Sequence, residues 1–448
     1  MYKNYLLKKF NMKLVILLLA GAFVCSSVTS QHVEEVICDE DTDTSGLHVW
    51  LDDVPGCDAN ASYCDLFGFD YVCSKEIERG AEVCANGTQV LCQPKPAIPL
   101  KEPTPATTLK VVAYNVLELR YLYWMEGQRE RTCRIPYRIF EKFGDLDAIL
   151  FQEVFMEGCF PEVTLHDLLY MHGFKYNTTT VGKTARENEI LRLEHGGIFI
   201  ASRWPIVKQD EYVFVSVDRS DTDVFASKGI SYAAIKKSVD GITRRYNLFS
   251  THMQSRNGQT REQVRIIQSI EFQLFLQKLK IPANEAVIYG GDFNADYLLD
   301  PNHVMNVLRA MDAAEPNVIG PLRTTYDRAN NTLLGIDPDG RLSWLDYVVW
   351  IKSHLNPISS SLEAIKLVDS PFPFCDFGML SVPTYIYPNA EECRRSEMAA
   401  DLSDHYPVIG IMEFPLEAVS NTCHPVAMAT TSIIPFILMT LIQLLFRM

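Results

Sequence analysis

A chain of 448 residues, 47% of them hydrophobic, holds apolar material for one large domain plus appendages and excludes a disordered or low-complexity polymer. Its 56 acidic residues against 41 basic ones leave a formal charge of −15. That balance argues against a nucleic-acid partner, because phosphate binding draws on a surplus of Lys and Arg.

The chain begins with Lys3, Lys8, Lys9 and Lys13, then the apolar run Leu14 to Val24, then Ser26, Ser27 and Ser30. Basic, apolar and small residues in that order predict a secretory signal over residues 1–30, and the run is short for a membrane span. Residues 31–93 carry Cys38, Cys57, Cys64, Cys73, Cys84 and Cys92, the density of a small disulfide-rich module. Spacing does not choose among the possible pairings. No C-x2-C pair points to zinc instead. Pro94, Pro96, Pro99, Pro103 and Pro105 make residues 94–108 an extended, semi-rigid linker.

From 109 to 415 short apolar runs alternate with helical stretches. Leu109 to Val116, Ala148 to Phe151, Gly197 to Ala201, Tyr246 to Ser250, Ala286 to Tyr289, Leu345 to Ile351 and Val408 to Met412 read as buried strands. Pro136 opens a short helix through Phe143, and Val264, Ile267, Ile270, Leu274 and Phe275 recur at helical spacing between Gln259 and Leu279. The tail, 416–448, has small residues at Ser420-Asn421-Thr422, a polar spacer and the apolar run Ile433 to Phe446. This is the layout of a glycosylphosphatidylinositol signal with attachment at Asn421; a single transmembrane anchor is the alternative. Cysteine parity favours the lipid anchor. Of 12 cysteines, losing Cys25 with the signal and Cys423 with the tail leaves 10, an even set. Sequons at Asn60, Asn86, Asn177 and Asn330 agree with an oxidising secretory route and a secreted or cell-surface protein.

Five apolar strands end in a polar or ionisable group: Asn115, Gln152-Glu153, Thr251-His252, Asp292-Phe293-Asn294 and Ser403-Asp404-His405. A rigid strand with an accessible end is where sheet proteins place chemistry. Glu153, Asn115 and Asp404 are hard oxygen donors suited to Mg²⁺, and no thiolate or multi-histidine set competes. His252 and His405 titrate near neutrality. Asp292 and Asn294 add a carboxylate and an amide. Together these parts suit metal-assisted hydrolysis of a phosphoester. With no G-x-S-x-G elbow and no P-loop, water is the expected nucleophile.

This set resembles the endonuclease/exonuclease/phosphatase superfamily over Leu109 to about Pro415. Further segments resemble its secreted sphingomyelinase C branch: Gly127-Gln128-Arg129-Glu130-Arg131, Ser202-Arg203-Trp204-Pro205-Ile206, Ser227-Lys228-Gly229, Thr325-Tyr326-Asp327, and Trp344-Leu345-Asp346-Tyr347. The added cysteines, the N-terminal module and the tail depart from the bacterial members. The resemblance implies an α/β four-layer sandwich, two packed mixed β-sheets flanked by helices, after a small N-terminal disulfide-rich module. It implies Glu153 as principal Mg²⁺ ligand, with Asn115 near the phosphate and Asp404 beside the metal or orienting His405. His405 would be the base assisted by Asp292; Asn294 and His252 would hold phosphoryl oxygens, His252 also serving as acid. Asp327 and Asp346 are supporting candidates. The implied substrate is membrane sphingomyelin, cleaved to ceramide and phosphocholine.

Between Ile351 and Asp404, Phe372, Phe374 and Phe377 lie in an aromatic stretch flanked by Cys375 and Cys393. It reads either as a hairpin packed on its own domain or as a membrane foothold pinned by a Cys375–Cys393 bridge. Cys133 and Cys159 remain as a pair by elimination, placed to brace the loop after Glu153. Two rival functions stand beside the lipase reading: a secreted nuclease on the same fold, and an inactive cell-surface binding protein. The sphingomyelinase-like segments count against the first and the filled catalytic positions against the second.

Overall fold

A computed structural model describes residues 46–51, 62–72, 90–119, 124–156, 158–183, 185–187, 190–374, 376–378 and 397–416. The signal, Cys38, Cys57, Cys73, Cys84, Asn60, Asn86, Cys375, Cys393, the side chain of Phe377 and the tail with Asn421 lie outside the described residues.

The first elements are β1 (Val49–Leu51), α1 (Ser62–Leu66), β2 (Phe69–Val72) and β3 (Val90–Pro94). The strands pair antiparallel in the order β1-β3-β2, and a Cys64–Cys92 disulfide ties α1 to β3. Val49, Phe67 and Phe69 share one buried cluster with Cys133, Phe160, Val163 and Leu168, so this sheet draws its core from the segments that follow.

Next come β4 (Thr108–Glu118), α2 (Gln128–Thr132), α3 (Ile135–Lys142), β5 (Ala148–Val154), α4 (Leu165–Met171), β6 (Tyr176–Asn177) and β7 (Phe199–Ser202). They are followed by β8 (Ile206–Val213), β9 (Gly229–Val239), β10 (Ile242–His252), α5 (Gln259–Leu279), β11 (Ala286–Asp292), α6 (Pro301–Ala310) and β12 (Val318–Ile319). The last are β13 (Asp346–Trp350), β14 (Ser359–Ala364), β15 (Val368–Phe374), β16 (Glu397–Asp401) and β17 (Val408–Glu413). A seven-stranded sheet runs β12-β14-β17-β4-β5-β7-β6, and a five-stranded sheet runs β8-β9-β10-β11-β13. Both are mixed. A parallel pair sits within each, β4 with β5 and β10 with β11, beside antiparallel neighbours.

Strand alternation sorts the core. On β4, Leu109, Val111 and Ala113 join a cluster with Leu248, Ile288 and Val348 of the five-stranded sheet. The intervening Val112, Tyr114 and Val116 turn the other way, onto Ile139 of α3 and Leu165 of α4. Two glycines permit the close approach of the sheets. A Cβ at Gly290 would lie 2.9 Å from Leu150 Cδ1, and one at Gly410 would lie 2.6 Å from Val348 Cγ1.

The helix predicted between Gln259 and Leu279 forms, but its buried face differs from the apolar one read from sequence. Ile267 and Leu274 are exposed, whereas Arg265 and Gln268 are buried beside Phe272 and Phe275. The reason is hydrogen bonding. Arg265 donates to the carbonyls of Gln254 and Arg256, and Gln268 accepts from Gln254 N, so both tie down the segment after β10.

Candidate active site

The carboxyl ends of the parallel pairs β4–β5 and β10–β11 lie together, and their antiparallel neighbours deliver loop residues to the same place. Asn115 is in register with Gln152, His252 with Asp292, and Asp292 with Asp346. Because β17 runs against β4, with Val408 opposite Ala113, the residues just before β17 arrive at that end too. Ser403 Oγ donates to Asn115 O at 2.7 Å, and buried Arg131 of α2 donates to the carbonyls of Val116, Leu117 and Leu402. These bonds latch the His405 segment to the end of β4.

Asn115 Nδ2 donates to Glu153 Oε1 at 2.8 Å and to Asp292 Oδ2 at 3.2 Å, while its Oδ1 accepts from Leu117 N. Asn115 thereby spaces two carboxylates. Asn294 donates its backbone N–H to Asp292 Oδ1 and its Nδ2 to Asp292 Oδ2 and Met253 O, bracing Asp292 from the other side. Glu153 and Asn294 both adopt left-handed backbone, at φ 58° and 52°, a strained conformation kept where surroundings over-determine it.

His405 Nδ1 lies 2.8 Å from Asp346 Oδ2, and its Nε2 lies 3.9 Å from Asp292 Oδ2. Asp346, expected only in support, thus orients the ring. Asp404 does not: its carboxylate accepts from Ser403 Oγ at 3.3 Å and acts on His405 and Glu153 through its charge. Burial alone would lower the His405 pKa, but Asp346, Asp404 and Asp292 outweigh it and hold the ring well above its ordinary value.

His252 Nε2 faces Asp292 Oδ2 at 3.4 Å, Glu153 Oε1 at 3.7 Å and Lys228 Nζ at 3.0 Å. Burial, with Lys228 and His405 adding, drives its pKa well below the ordinary value. That shift favours the neutral ring. The cation here is Lys228, held by Asp223 Oδ2 at 2.8 Å and Met253 O at 3.3 Å. The Ser227-Lys228-Gly229 segment carries the family resemblance but by itself assigns Lys228 no role. The signal was present: a lysine opening an apolar strand must have a built partner.

Among the described residues, two groups place ligand atoms within 4.8 Å of one another: Glu153, His252 and Asp292, and Asp292, Asp346 and His405. Burial, then Asp404, pushes Glu153 up to about 7; burial pushes Asp292 up to about 6, with His405 opposing and Asp346 adding. Asp346 Oδ1 is buried without a partner. Crowded, desolvated carboxylates with a spare oxygen fit a hard divalent cation, which would offset their mutual repulsion.

Other expectations fare differently. Asp327 accepts from Asn330 N and Nδ2 and shapes a turn; its neighbour Tyr326 supplies the contact with His405, ring centroids 5.7 Å apart. Phe372 and Phe374 are each 2% exposed within the cluster that holds α3 and α4. Arg134 covers the Phe372 ring at 4.8 Å, so neither phenylalanine is a lipid contact. Asn330 is exposed and Asn177 half-buried on an edge strand. A disulfide joins Cys133 to Cys159.

The sequence pattern of the Endonuclease/Exonuclease/phosphatase family matches residues 117–405. A sphingomyelinase C of Bacillus cereus is 31% identical over 271 residues, covering 56% of this chain and 77% of the relative. The sphingomyelinase C of Listeria ivanovii is 26% identical and covers 68% and 86%. Among solved structures, a beta toxin variant from Staphylococcus aureus with bound magnesium ions is 25% identical. It superposes with a TM-score of 0.54 over 68% of this chain and 99% of that one. With an α/β fold of mixed sheets in common, the chain belongs to the endonuclease/exonuclease/phosphatase family, in the branch of the sphingomyelinases C.

Proposed function

We propose that the protein is a magnesium-dependent phosphodiesterase that hydrolyses membrane sphingomyelin to ceramide and phosphocholine by direct attack of water. The observation that carries the reading is the Asp346–His405 pair facing Asp292 across from Glu153, His252 and Lys228. Glu153 and Asp292 would hold the cation. Bound there, it would polarise a phosphoryl oxygen and offset the carboxylate field that keeps His405 protonated. His405 Nε2 takes a proton from water as the oxygen bonds to phosphorus, and Asp346 accepts the Nδ1 hydrogen and fixes the ring. The bond from phosphorus to the ceramide oxygen breaks, and that oxygen takes a proton from the Lys228–His252 pair. Asn115 and Asn294 keep Asp292 aimed throughout.

A four-layer order belongs to the same proposal, supported by α3 and α4 side chains buried against one sheet and α5 and α6 against the other. So does a secreted, glycosylated and lipid-anchored location, supported by the sequence layout of the two ends. The test is purified protein with Mg²⁺ offered sphingomyelin, phosphatidylcholine and DNA. Phosphocholine release from sphingomyelin, abolished by chelator and by His405→Ala, is the expected result. Cleavage of DNA alone would overturn the reading.

A further inference from the structure

Glu118 closes β4, three residues beyond Asn115, and is fully buried. None of the steps proposed above uses it. A carboxyl group in the interior needs built partners, and the identity of those partners shows what it holds. Oε2 accepts from Gly158 N at 2.9 Å and from Met156 N at 3.4 Å, while Oε1 accepts from Thr132 Oγ1 at 3.4 Å. The main-chain oxygen of Glu118 accepts from Phe155 N at 3.3 Å. One residue thus takes three N–H groups from the segment that begins two residues after Glu153.

Glu153 needs such a hold. Its left-handed backbone, at φ 58°, persists only where the surroundings impose it. Asn115 Nδ2 fixes the Glu153 carboxylate at 2.8 Å, and Val154 N donates to Gly197 O at 2.9 Å. Glu118 fixes the chain immediately beyond. Gly158 is drawn so close to α4 that a Cβ there would lie 2.3 Å from Leu165 Cβ. Farther on, Cys159 is bonded to Cys133, and the Phe160 ring meets Phe67 edge-on with centroids 4.9 Å apart. The loop is held at both ends, and the Glu118 carboxyl group holds the part between.

We infer that Glu118 is a positioning residue for the divalent cation: by binding the Met156 and Gly158 amides it keeps the Glu153 carboxylate where the cation needs it, without itself being a ligand. The inference rests on the reading of Glu153 as a cation ligand. Groups that orient a ligand from behind typically change metal affinity by about 10–100-fold when they are lost.

Calorimetric titration of Mg²⁺ into the purified protein, with no substrate present, reads the effect directly. Glu118→Met keeps the length of the side chain but removes both acceptors, and it weakens Mg²⁺ binding about tenfold. Burial pushes Glu118 up to about 8. The neutral amide of Glu118→Gln is therefore a close mimic, and this variant binds Mg²⁺ as wild type does. Turnover by Glu118→Met falls at limiting Mg²⁺ and recovers at saturating Mg²⁺. Lys237→Met is the control for lost stability alone, because its partner Asp147 precedes β5, at the end away from Glu153. It leaves Mg²⁺ affinity unchanged. Equal affinity in Glu118→Met and wild type, or an equal loss in Lys237→Met, would overturn the inference. A measurement on wild type stands even where Glu118→Met does not fold. Cation binding and loop order are reciprocal, so Mg²⁺ slows hydrogen exchange at the Met156 and Gly158 amides. Unchanged exchange would also overturn the inference. A wild-type protein that binds no Mg²⁺ would instead defeat the cation reading itself, and the role of Glu118 with it.

Discussion

Replacing Asp346 by asparagine removes one charge at nearly constant shape. Asp346 is fully buried, and of its two carboxylate oxygens only Oδ2 has a partner, His405 Nδ1 at 2.8 Å. The substitution therefore acts almost wholly on that bond. It turns a charge-assisted hydrogen bond into a neutral one and lets the ring take the wrong tautomer or rotate. A positioned general base contributes about 10²–10⁴ in rate, so kcat should fall by roughly that factor, or about 3–5 kcal/mol. KM should change little, because the pair acts on the attacking water and not on lipid binding. The assay is initial phosphocholine release from a short-chain, soluble sphingomyelin by wild type, Asp346→Asn, His405→Ala and the double variant. If the two side chains work as one unit, the double variant is no slower than His405→Ala. Near wild-type turnover in Asp346→Asn, or losses that multiply in the double variant, would refute the assignment.

Glu118 links stability to pH. Burial pushes it up from 4.5 to about 8, against the opposing N–H groups of Gly158 and Met156. A raised folded pKa means that the stability tied to protonation is complete below about 4.5 and lost as pH rises through about 8, on the order of 5 kcal/mol in all. Melting temperature should therefore drop more between pH 5 and pH 8 in wild type than in Glu118→Gln; parallel slopes would sink this account. Phe374→Ala should cost about 3–5 kcal/mol in chemical denaturation, as expected of a buried ring. An unchanged melt with weakened vesicle binding would instead restore the phenylalanine to a lipid-facing role. Lys237 and Asp147 form a fully buried ion pair at 2.8 Å, and Lys237 also donates to Thr104 Oγ1 and Thr108 O at 2.7 Å. Lys237→Met leaves a buried carboxylate without its cation, and roughly 3–5 kcal/mol of stability should go with it. A neutral effect in urea titrations would contradict that prediction.

The sequence by itself determined the strands and the chemistry at their ends. Apolar runs around Val111, Leu150, Leu248 and Ile288 mark buried strands through local composition, and the Asn, Glu, His and Asp that close them need no tertiary information to be read. The family resemblance, carried by the same short segments, was legible for the same reason. Only the tertiary structure decided which of these groups touch. His405 meets Asp346 across 59 residues, and Asn115 meets Asp292 across 177, because strand order and direction bring β4, β11, β13 and the approach to β17 to one end. Neither order nor direction is written in any local pattern. The same holds for burial. Phe372 and Phe374 have the composition of a membrane foothold, but the Arg134 guanidinium and the packing around α3 enclose them. Leu298 and Leu299 in turn stand exposed on a turn that the hydrogen bonds of Asp296 fix, which no local apolar count would show.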